Sequence, residues 1–293
     1  MIEPGIYDGL SEDIYHGDSY PAPCLSTGVL KDLLNKSPLH AFLNHPALNP
    51  SFTEGEADES KFDIGRAAHA LLLEGEDNVE IIPFDSYQST AAKLARDNAR
   101  MAGKIPLKQK EWDRVSRMVE AANQQLRESE LGINDLLAEG KSERSFIWQE
   151  DDVWLKIRPD WMPHDETFIL DYKTTGLSAN PTDLDRHILN MGYHIQDCLY
   201  KWGVRTYAER EPRFVFMFQE TSDPFLCSFV ELRPAFAALG WQEVETGVKL
   251  WRRCLASGEW PGYPKEICGI DLPSWELKKL QDRELMDAEE ALV

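Results

Sequence analysis

The sequence is short of positive charge: its 293 residues include 31 lysines and arginines against 51 aspartates and glutamates, a formal net charge of -20. Such a chain repels a phosphate backbone if its charge is evenly spread. The deficit argues against a nucleic-acid coat protein, a basic DNA-binding arm or a membrane-surface binder. It does not exclude a nuclease, because metal-dependent active sites are built from carboxylates and only one face needs to contact the substrate.

Long apolar runs are also missing. No segment approaches the ~20 consecutive apolar residues that a membrane-spanning helix needs. The first residues, Met1-Ile2-Glu3-Pro4-Gly5, have neither the basic start nor the apolar core of a signal peptide. We therefore expect no membrane partner and a cytoplasmic location.

Cysteine is scarce and widely spaced. The five cysteines are Cys24, Cys198, Cys227, Cys254 and Cys268. Their odd number and wide spacing favour reduced thiols in a cytosolic protein. Iron–sulfur sites usually include a close C-x₂-C pair, which this sequence lacks, so we expect no iron–sulfur cluster.

The remaining composition is that of a globular protein. The chain is 42% hydrophobic and 10% aromatic, enough to build a core. At ~150 residues per domain the length allows one large domain or two small ones. No strong linker divides the chain, so we predict a single domain over residues 1–293. Its parts would be an N-terminal extension and helix (1–60), a core (61–265) and an acidic tail (266–293).

The hydrophobic periodicity predicts helices first, then three strands, a long helix, two strands and a final long helix. Predicted helices are 26–34, 40–44, 61–74, two within 87–128 broken at Gly103 and Pro106, 184–209 and 234–257. Predicted strands are 79–83, 146–148, 153–157, 167–174, 213–220 and 225–232. An acidic surface loop is expected over 54–63. This order indicates an α/β (α+β) fold with a mixed central β-sheet flanked by helices.

Two short segments carry the chemistry, Arg158-Pro159-Asp160 and Asp171-Tyr172-Lys173. Because side chains alternate along a strand, Asp171 and Lys173 should point to one side of it. Asp160 ends the preceding predicted strand and would stand beside Asp171 if the two strands are neighbours. Converging carboxylates repel each other unless a cation relieves the repulsion, and oxygen ligands favour Mg²⁺ or Mn²⁺.

A lysine beside such a site would stabilise phosphate charge or orient a water molecule. The pattern therefore indicates hydrolysis of a phosphodiester. The alternative is an ordinary surface Asp–Lys pair on an edge strand, because a D-x-K pattern alone is short and common.

The spacing of these segments resembles the PD-(D/E)xK nuclease motif, and more of the chain resembles its RecB-like branch. The stretch Gly65-Arg66-Ala67-Ala68-His69 is similar to the upstream G-x-x-x-H helix, and 196–200 to the downstream Q-x-x-x-Y helix. The N-terminal segments 5–7, 15–16, 25–27 and 33–38 resemble the exodeoxyribonuclease VIII (RecE-type) nuclease domain of phages and prophages. The resemblance spans about residues 5–265. It implies a restriction-endonuclease-like core with an elaborated helical N-terminal region.

The resemblance also implies residue roles. The metal ligands would be His69, Asp160, Asp171 and the backbone carbonyl of Tyr172, with Lys173 as the catalytic lysine. Gln196 and Tyr200 would contact substrate or hold the strand. Glu143 matches an acidic residue that some relatives carry before the first core strand; the alternative is a solvated hairpin glutamate. The metal would be Mg²⁺, with Mn²⁺ as a substitute.

Basic residues concentrate in one segment of this acidic chain. Residues 93–117 hold eight lysines and arginines against three acidic residues. Lys93, Arg96 and Arg100 share a helical face, which is either a solvated surface or a contact for the DNA backbone. Arg66 and Arg158 would add positive charge near the ligands, and Trp161 could stack on a base or wedge a duplex end.

The function this supports is a Mg²⁺-dependent double-strand DNA exonuclease in a bacterial or phage-infected cell. The resemblance implies 5′-to-3′ digestion that leaves a 3′ single strand for a recombination partner such as a single-strand annealing recombinase. It also implies a ring-like homo-oligomer around double-stranded DNA ends. Three alternatives remain open: a Cas4-like or endonucleolytic end-processing enzyme, a non-catalytic DNA-binding or recombinase-recruiting module, and an acidic interaction protein.

Overall fold

The computed structural model describes residues 1–17, 19–52, 62–75 and 78–290. The described helices are α1 (Glu12–His16), α2 (Thr27–Asn35), α3 (Pro38–Leu43), α4 (Asp63–His69), α5 (Thr90–Met101), α6 (Gln109–Glu128), α7 (Leu136–Glu139), α8 (Asp185–Met191), α9 (Tyr193–Arg205), α10 (Pro234–Ser257) and α11 (Ser274–Glu290). A π-helical turn, Ala70–Glu74, continues α4, and a 3₁₀ turn, Pro181–Asp183, precedes α8.

The described strands form three sheets. They are β1 (Gly5–Tyr7), β2 (Cys24–Leu25), β3 (Val79–Ile82), β4 (Ile105–Lys108), β5 (Gly140–Ser142), β6 (Ser145–Glu150), β7 (Val153–Ile157), β8 (Trp161–Pro163), β9 (Phe168–Thr175), β10 (Arg213–Glu220) and β11 (Cys227–Val230). Their orders are β11-β10-β9-β8-β5, β1-β6-β7-β2 and β3-β4. The five-stranded sheet is mixed, since β9 and β10 run parallel while its other pairs are antiparallel.

Strands β9 and β10 are covered on both faces. On β10, Phe214, Phe216 and Phe218 enter a core shared with α2, α9 and α10. Val215 and Met217 face a second core, shared with α4 and α6. Parallel strands buried on both sides have continuous apolar sequences, which explains the uninterrupted apolar run over 214–218. The sheet therefore holds β9 between two helical layers.

Several predicted elements are confirmed. The 146–157 hairpin is β6 and β7, the 213–232 hairpin is β10 and β11, and α10 has the predicted bounds. The mixed α/β fold with flanking helices is also confirmed.

Other boundaries were wrong. The helix predicted over 184–209 is two helices, because Gly192 adopts a left-handed backbone with φ 64° and ends α8 before α9 begins. The two helices predicted within 87–128 are confirmed as α5 and α6, but the break between them contains a strand that was not predicted, β4, which pairs in parallel with β3. The short strands β1, β2, β5 and β8 were missed because two or three residues carry little periodicity.

The described chain divides into two compact units, Met1–Trp260 and Pro261–Val293. The second unit contains the charged helix α11 within the predicted acidic tail, whose residues 291–293 lie outside the described part. Most of the predicted acidic loop, residues 53–61, also lies outside it. The single-domain assignment stays a prediction. Within the described ranges, no helix combines the length and apolarity that crossing a membrane requires.

The contact between α9 and α10 generates a stability prediction at Gly240. A Cβ there would overlap the backbone carbonyl oxygen of His194 and crowd the Cys198 sulfur. Since backbone atoms cannot swing away, Gly240→Ala should lower the free energy of unfolding by about 1–3 kcal/mol. Chemical denaturation measures the change. Gly176→Ala, whose Cβ meets nothing within 4 Å, should stay within about 0.5 kcal/mol of wild type; equal losses would contradict the packing argument.

Candidate active site

Strand β9 carries the two central charged residues of the candidate active site. Asp171 is completely buried, and the Lys173 ammonium forms an ion pair with its Oδ1. Leu170 and Tyr172 face the opposite core, so the predicted alternation is confirmed. Gln196 of α9 donates from Nε2 to Asp171 Oδ2 at 2.5 Å. A buried carboxylate is tolerated because a cation and an amide both contact it.

Asp160 lies immediately before β8, in the bend after β7. Since Trp161 pairs with Leu170 in the antiparallel β8–β9 register, Asp160 falls opposite Asp171. The backbone N–H of Tyr172 donates to Asp160 Oδ2 at 2.8 Å. The two aspartates are therefore neighbours, as predicted. However, the strand that pairs with β9 next to Asp160 is β8, and not the predicted strand 153–157.

His69 enters the site from the last turn of α4. Its Nε2 lies 3.5 Å from Asp160 Oδ2 and 3.6 Å from Glu143 Oε1. Helix α4 can approach β9 because a Cβ at Gly65 would lie only 2.7 Å from Thr174 Oγ1. The glycine of the G-x-x-x-H segment is thus explained by close packing, which lets the histidine four residues later reach Asp160.

Two glutamates complete the cluster. Glu143, in a left-handed conformation with φ 53°, lies between β5 and β6. Glu74 ends the π-helical turn, and its Oε1 lies 3.3 Å from His69 Nδ1. No pattern in the sequence predicts a role for Glu74, because a residue five positions after His69 does not share its face in a regular α-helix. Single ligand atoms of His69, Glu74 and Glu143 all lie within 4.8 Å of one another.

The electrostatics show an excess of buried negative charge. Burial and the nearby Asp160 raise the pKa of Asp171 to about 6, and the same two causes raise the pKa of Glu143 to about 8. Burial lowers the pKa of His69, but the Asp160 and Glu74 carboxylates outweigh it and raise the value to about 10. Lys173 and His69 hold the pKa of Asp160 below its usual range despite its burial. Carboxylates that resist ionisation together fit a site for a divalent cation.

The donor set agrees with that charge balance. One imidazole nitrogen and several carboxylate oxygens converge, and no thiol takes part. Carboxylate oxygens suit Mg²⁺ and Mn²⁺, and imidazole is shared with other transition metals. His69 (through Nε2), Asp160 and Glu143 are therefore the residues that could hold a divalent cation, while Glu74 contacts the other ring nitrogen of His69. Asp171, also predicted as a ligand, lies beside them with its oxygens engaged by Lys173 and Gln196.

A cleft of about 1040 Å³ opens over part of this cluster. His69, Glu74, Glu143, Tyr172 and Lys173 line it. Positive side chains in its lining come from distant parts of the chain: Arg66, Arg114 and Arg158. The cleft thus combines an acidic floor with basic walls, as binding of an anionic substrate to a metal site requires.

The predicted role of Trp161 in DNA stacking was wrong. Its side chain is 1% exposed, contacts Phe168 and donates from Nε1 to the Leu136 carbonyl. A buried indole with a satisfied N–H cannot stack on a base. Tyr200 packs against Phe214 in the core.

The other predicted DNA contacts are partly engaged within the protein. Arg158 is buried, donates to Ser145 Oγ and the Leu10 carbonyl, and lies 3.9 Å from the Tyr15 ring centroid. Arg100 pairs with the buried Asp63 at 3.0 Å, and Arg96 pairs with Asp97. Lys93 is exposed on α5. Their roles in DNA binding stay predictions.

The sheet topology and the Asp160, Asp171 and Lys173 constellation define a protein with the PD-(D/E)xK nuclease fold. The chain belongs to the family described as "PDDEXK-like domain of unknown function (DUF3799)", which matches residues 26–270. This confirms the predicted superfamily.

A solved structure shows the same fold. The chain is similar to a protein of Eubacterium rectale described as a "putative exonuclease", with a TM-score of 0.59 and 12% sequence identity. The likeness covers 92% of this chain and 97% of that chain. No curated protein matches the chain.

The donor set generates a prediction about metal binding. Mg²⁺ or Mn²⁺ should raise the midpoint of thermal unfolding, since a ligand at 100 times its Kd stabilises the folded state by about 2.7 kcal/mol. His69→Ala and Asp160→Ala should lose most of this rise. Differential scanning calorimetry with and without metal measures it. Glu245→Gln, which alters an exposed carboxylate of α10, should keep the full rise; an equal rise in all variants would place the metal elsewhere.

Proposed function

We propose that this protein is a Mg²⁺-dependent deoxyribonuclease that hydrolyses phosphodiester bonds, and specifically a 5′-to-3′ double-strand exonuclease that leaves 3′ single strands. The observation that carries the proposal is the pairing of Lys173 with the buried Asp171, beside Asp160 and His69, at a cleft that Lys173, His69 and three arginines line. Membership of a PDDEXK-like family supports the chemistry. The polarity and the RecE-type assignment rest on the sequence resemblance.

The residues of the site suggest a division of roles. Asp160, His69 and Glu143 would hold the cation, which supplies Lewis-acid stabilisation of the charge that develops on the phosphate. The Lys173 ammonium, fixed by Asp171, would stabilise the same charge or orient the attacking water. Gln196 keeps Asp171 in place through its hydrogen bond. Arg66 and Arg114 in the cleft wall would receive the flanking phosphates.

The biological setting belongs to the same proposal. A 3′ single strand is a substrate for a single-strand annealing recombinase, which would be the functional partner. A ring-like homo-oligomer would enclose duplex DNA and confine it to the basic faces of an otherwise acidic protein. The proposed location is the cytoplasm of a bacterial or phage-infected cell. All of these rest on the resemblance to the RecE-type domain.

The nuclease assignment predicts metal-dependent release of nucleotides from linear duplex DNA. Asp171→Ala and Lys173→Ala should each lower the rate at least about 10²-fold, because each removes a group that stabilises charge in the transition state. Acid-soluble nucleotide release under Mg²⁺ measures the rate, with near-wild-type thermal unfolding as the check on folding. Lys249→Ala on α10 is the matched control and should keep full activity. Release that survives both active-site substitutions contradicts the assignment.

The type of DNA distinguishes the alternatives. An exonuclease leaves covalently closed circles intact, whereas a Cas4-like or endonucleolytic enzyme of the same fold cuts them. Duplexes labelled at the 5′ or the 3′ end report the polarity, since the proposed enzyme releases the 5′ label first. Tight DNA binding without cleavage under Mg²⁺ or Mn²⁺ would instead identify a non-catalytic module.

The cleft lining predicts that the guanidinium group of Arg114 contributes to DNA affinity. Arg114→Ala should weaken duplex binding and reduce the slope of affinity against salt concentration by about one, as the loss of one phosphate contact requires. Fluorescence anisotropy over a salt series, in Ca²⁺ or without metal, measures both quantities. Arg127→Ala changes an exposed arginine on the same helix, outside the cleft lining. If both variants bind alike, the cleft wall is not the DNA contact.

A further inference from the structure

The continuation of α4 breaks the regular helical pattern directly after His69. Residues Ala70–Glu74 form a π-helical turn, a rare conformation that is frequent at functional sites. In a regular α-helix each residue turns roughly 100°, so a side chain five positions later points roughly 140° away. The wider turn reduces that mismatch. It brings Glu74 onto the face of His69 while Leu73 stays completely buried in the core.

The two ring nitrogens of His69 consequently contact different groups. Nδ1 lies 3.3 Å from Glu74 Oε1. Nε2 lies 3.5 Å from Asp160 Oδ2 and 3.6 Å from Glu143 Oε1, toward the centre of the site. The ring is thus held from behind by one carboxylate and faces the remaining carboxylates with its other nitrogen.

The surroundings of the turn fix Glu74 in this position. The hydroxyl of Ser142 donates to the carbonyl of Leu73, which ties the turn to the segment that carries Glu143. Gly75 ends the turn with φ 66°, and a side chain there would strike Leu137. The backbone of Glu74 is therefore held on both sides, and its carboxylate is placed by the contact with His69 Nδ1.

We propose that Glu74 is a positioning residue for the metal site. Its carboxylate accepts the Nδ1 proton of His69, fixes the tautomer and ring orientation, and leaves the Nε2 lone pair facing Asp160 and Glu143 for a divalent cation. Metal-binding histidines generally donate their second ring N–H to such an acceptor, and loss of the acceptor lowers metal affinity about 10–100-fold. This inference rests on the proposed metal-dependent function of the same site.

The test is calorimetric titration of the full chain with Mn²⁺, without DNA. Glu74→Ala should weaken Mn²⁺ binding about 10–100-fold. Glu74→Gln, whose amide oxygen still accepts the Nδ1 proton, should recover at least part of the loss. Glu80→Gln is the control, since Glu80 is a carboxylate that pairs with Lys104 rather than with His69. It should bind Mn²⁺ like wild type.

A double-mutant cycle separates positioning from a general structural effect. In the His69→Ala background, Glu74→Ala should have no further effect on Mn²⁺ affinity, because the residue acts through the imidazole. Additive losses, or a Gln variant as weak as the Ala variant, would overturn the proposal in favour of folding or direct ligation. Wild type that binds no Mn²⁺ would refute the metal-dependent function itself. Wild type that binds Mn²⁺ equally well in all Glu74 variants would refute only the positioning role.

Discussion

The burial of Asp171 beside Asp160 is the constraint on which the site depends. An unpaired carboxylate in a protein interior is strongly unfavourable, and two neighbouring carboxylates repel each other as well. The structure offsets this with the Lys173 ammonium, the Gln196 amide and the Tyr172 backbone N–H. These groups come from β9 and α9, so the charged centre depends on the packing of the helical layer against the sheet.

The position of His69 in the site depends on the close approach of α4 to β9 rather than on charge. The absence of a side chain at Gly65 lets α4 lie against Thr174 of β9, and this places His69 above Asp160. The π-helical turn then brings Glu74 to the other side of the imidazole. Glu143 reaches the same point through a left-handed backbone conformation. Unusual backbone geometry thus collects the groups that regular elements could not bring together.

Features of the site that depend on periodicity and spacing could be predicted from the sequence. The alternation of Asp171 and Lys173 along β9 and the helix that bears His69 could both be predicted, because each follows from a regular repeat. Glu74 could not, since it reaches His69 only through a π-turn that no apolar pattern signals. The role predicted for Trp161 was wrong for a related reason. Its position next to Asp160 in the sequence does not indicate that its indole N–H donates to the Leu136 carbonyl. Gly192 could have indicated the boundary between α8 and α9, but an isolated glycine within a helical pattern is often tolerated.

The distribution of charge over the folded protein differs from its distribution along the sequence. The segment 93–117 has five more basic than acidic residues, yet much of that excess is paired inside the protein. Three of its cations pair with carboxylates outside the segment, in Arg100–Asp63, Lys104–Glu80 and Arg117–Asp223. The cleft lining brings Arg114 of this segment together with Arg66, Arg158 and Lys173, which are spread over more than one hundred positions of the sequence.

A local sequence window therefore overestimates the unpaired positive charge of segment 93–117 and does not show which cations line the cleft. A net charge of -20 and an anionic substrate are compatible when the cations converge on one cleft, because a cleft with low-dielectric walls focuses their field. The acidic remainder of the surface then opposes binding of a phosphate backbone elsewhere. The same charge deficit that argues against a general nucleic-acid coat protein thus favours an enzyme that meets its substrate at a single place.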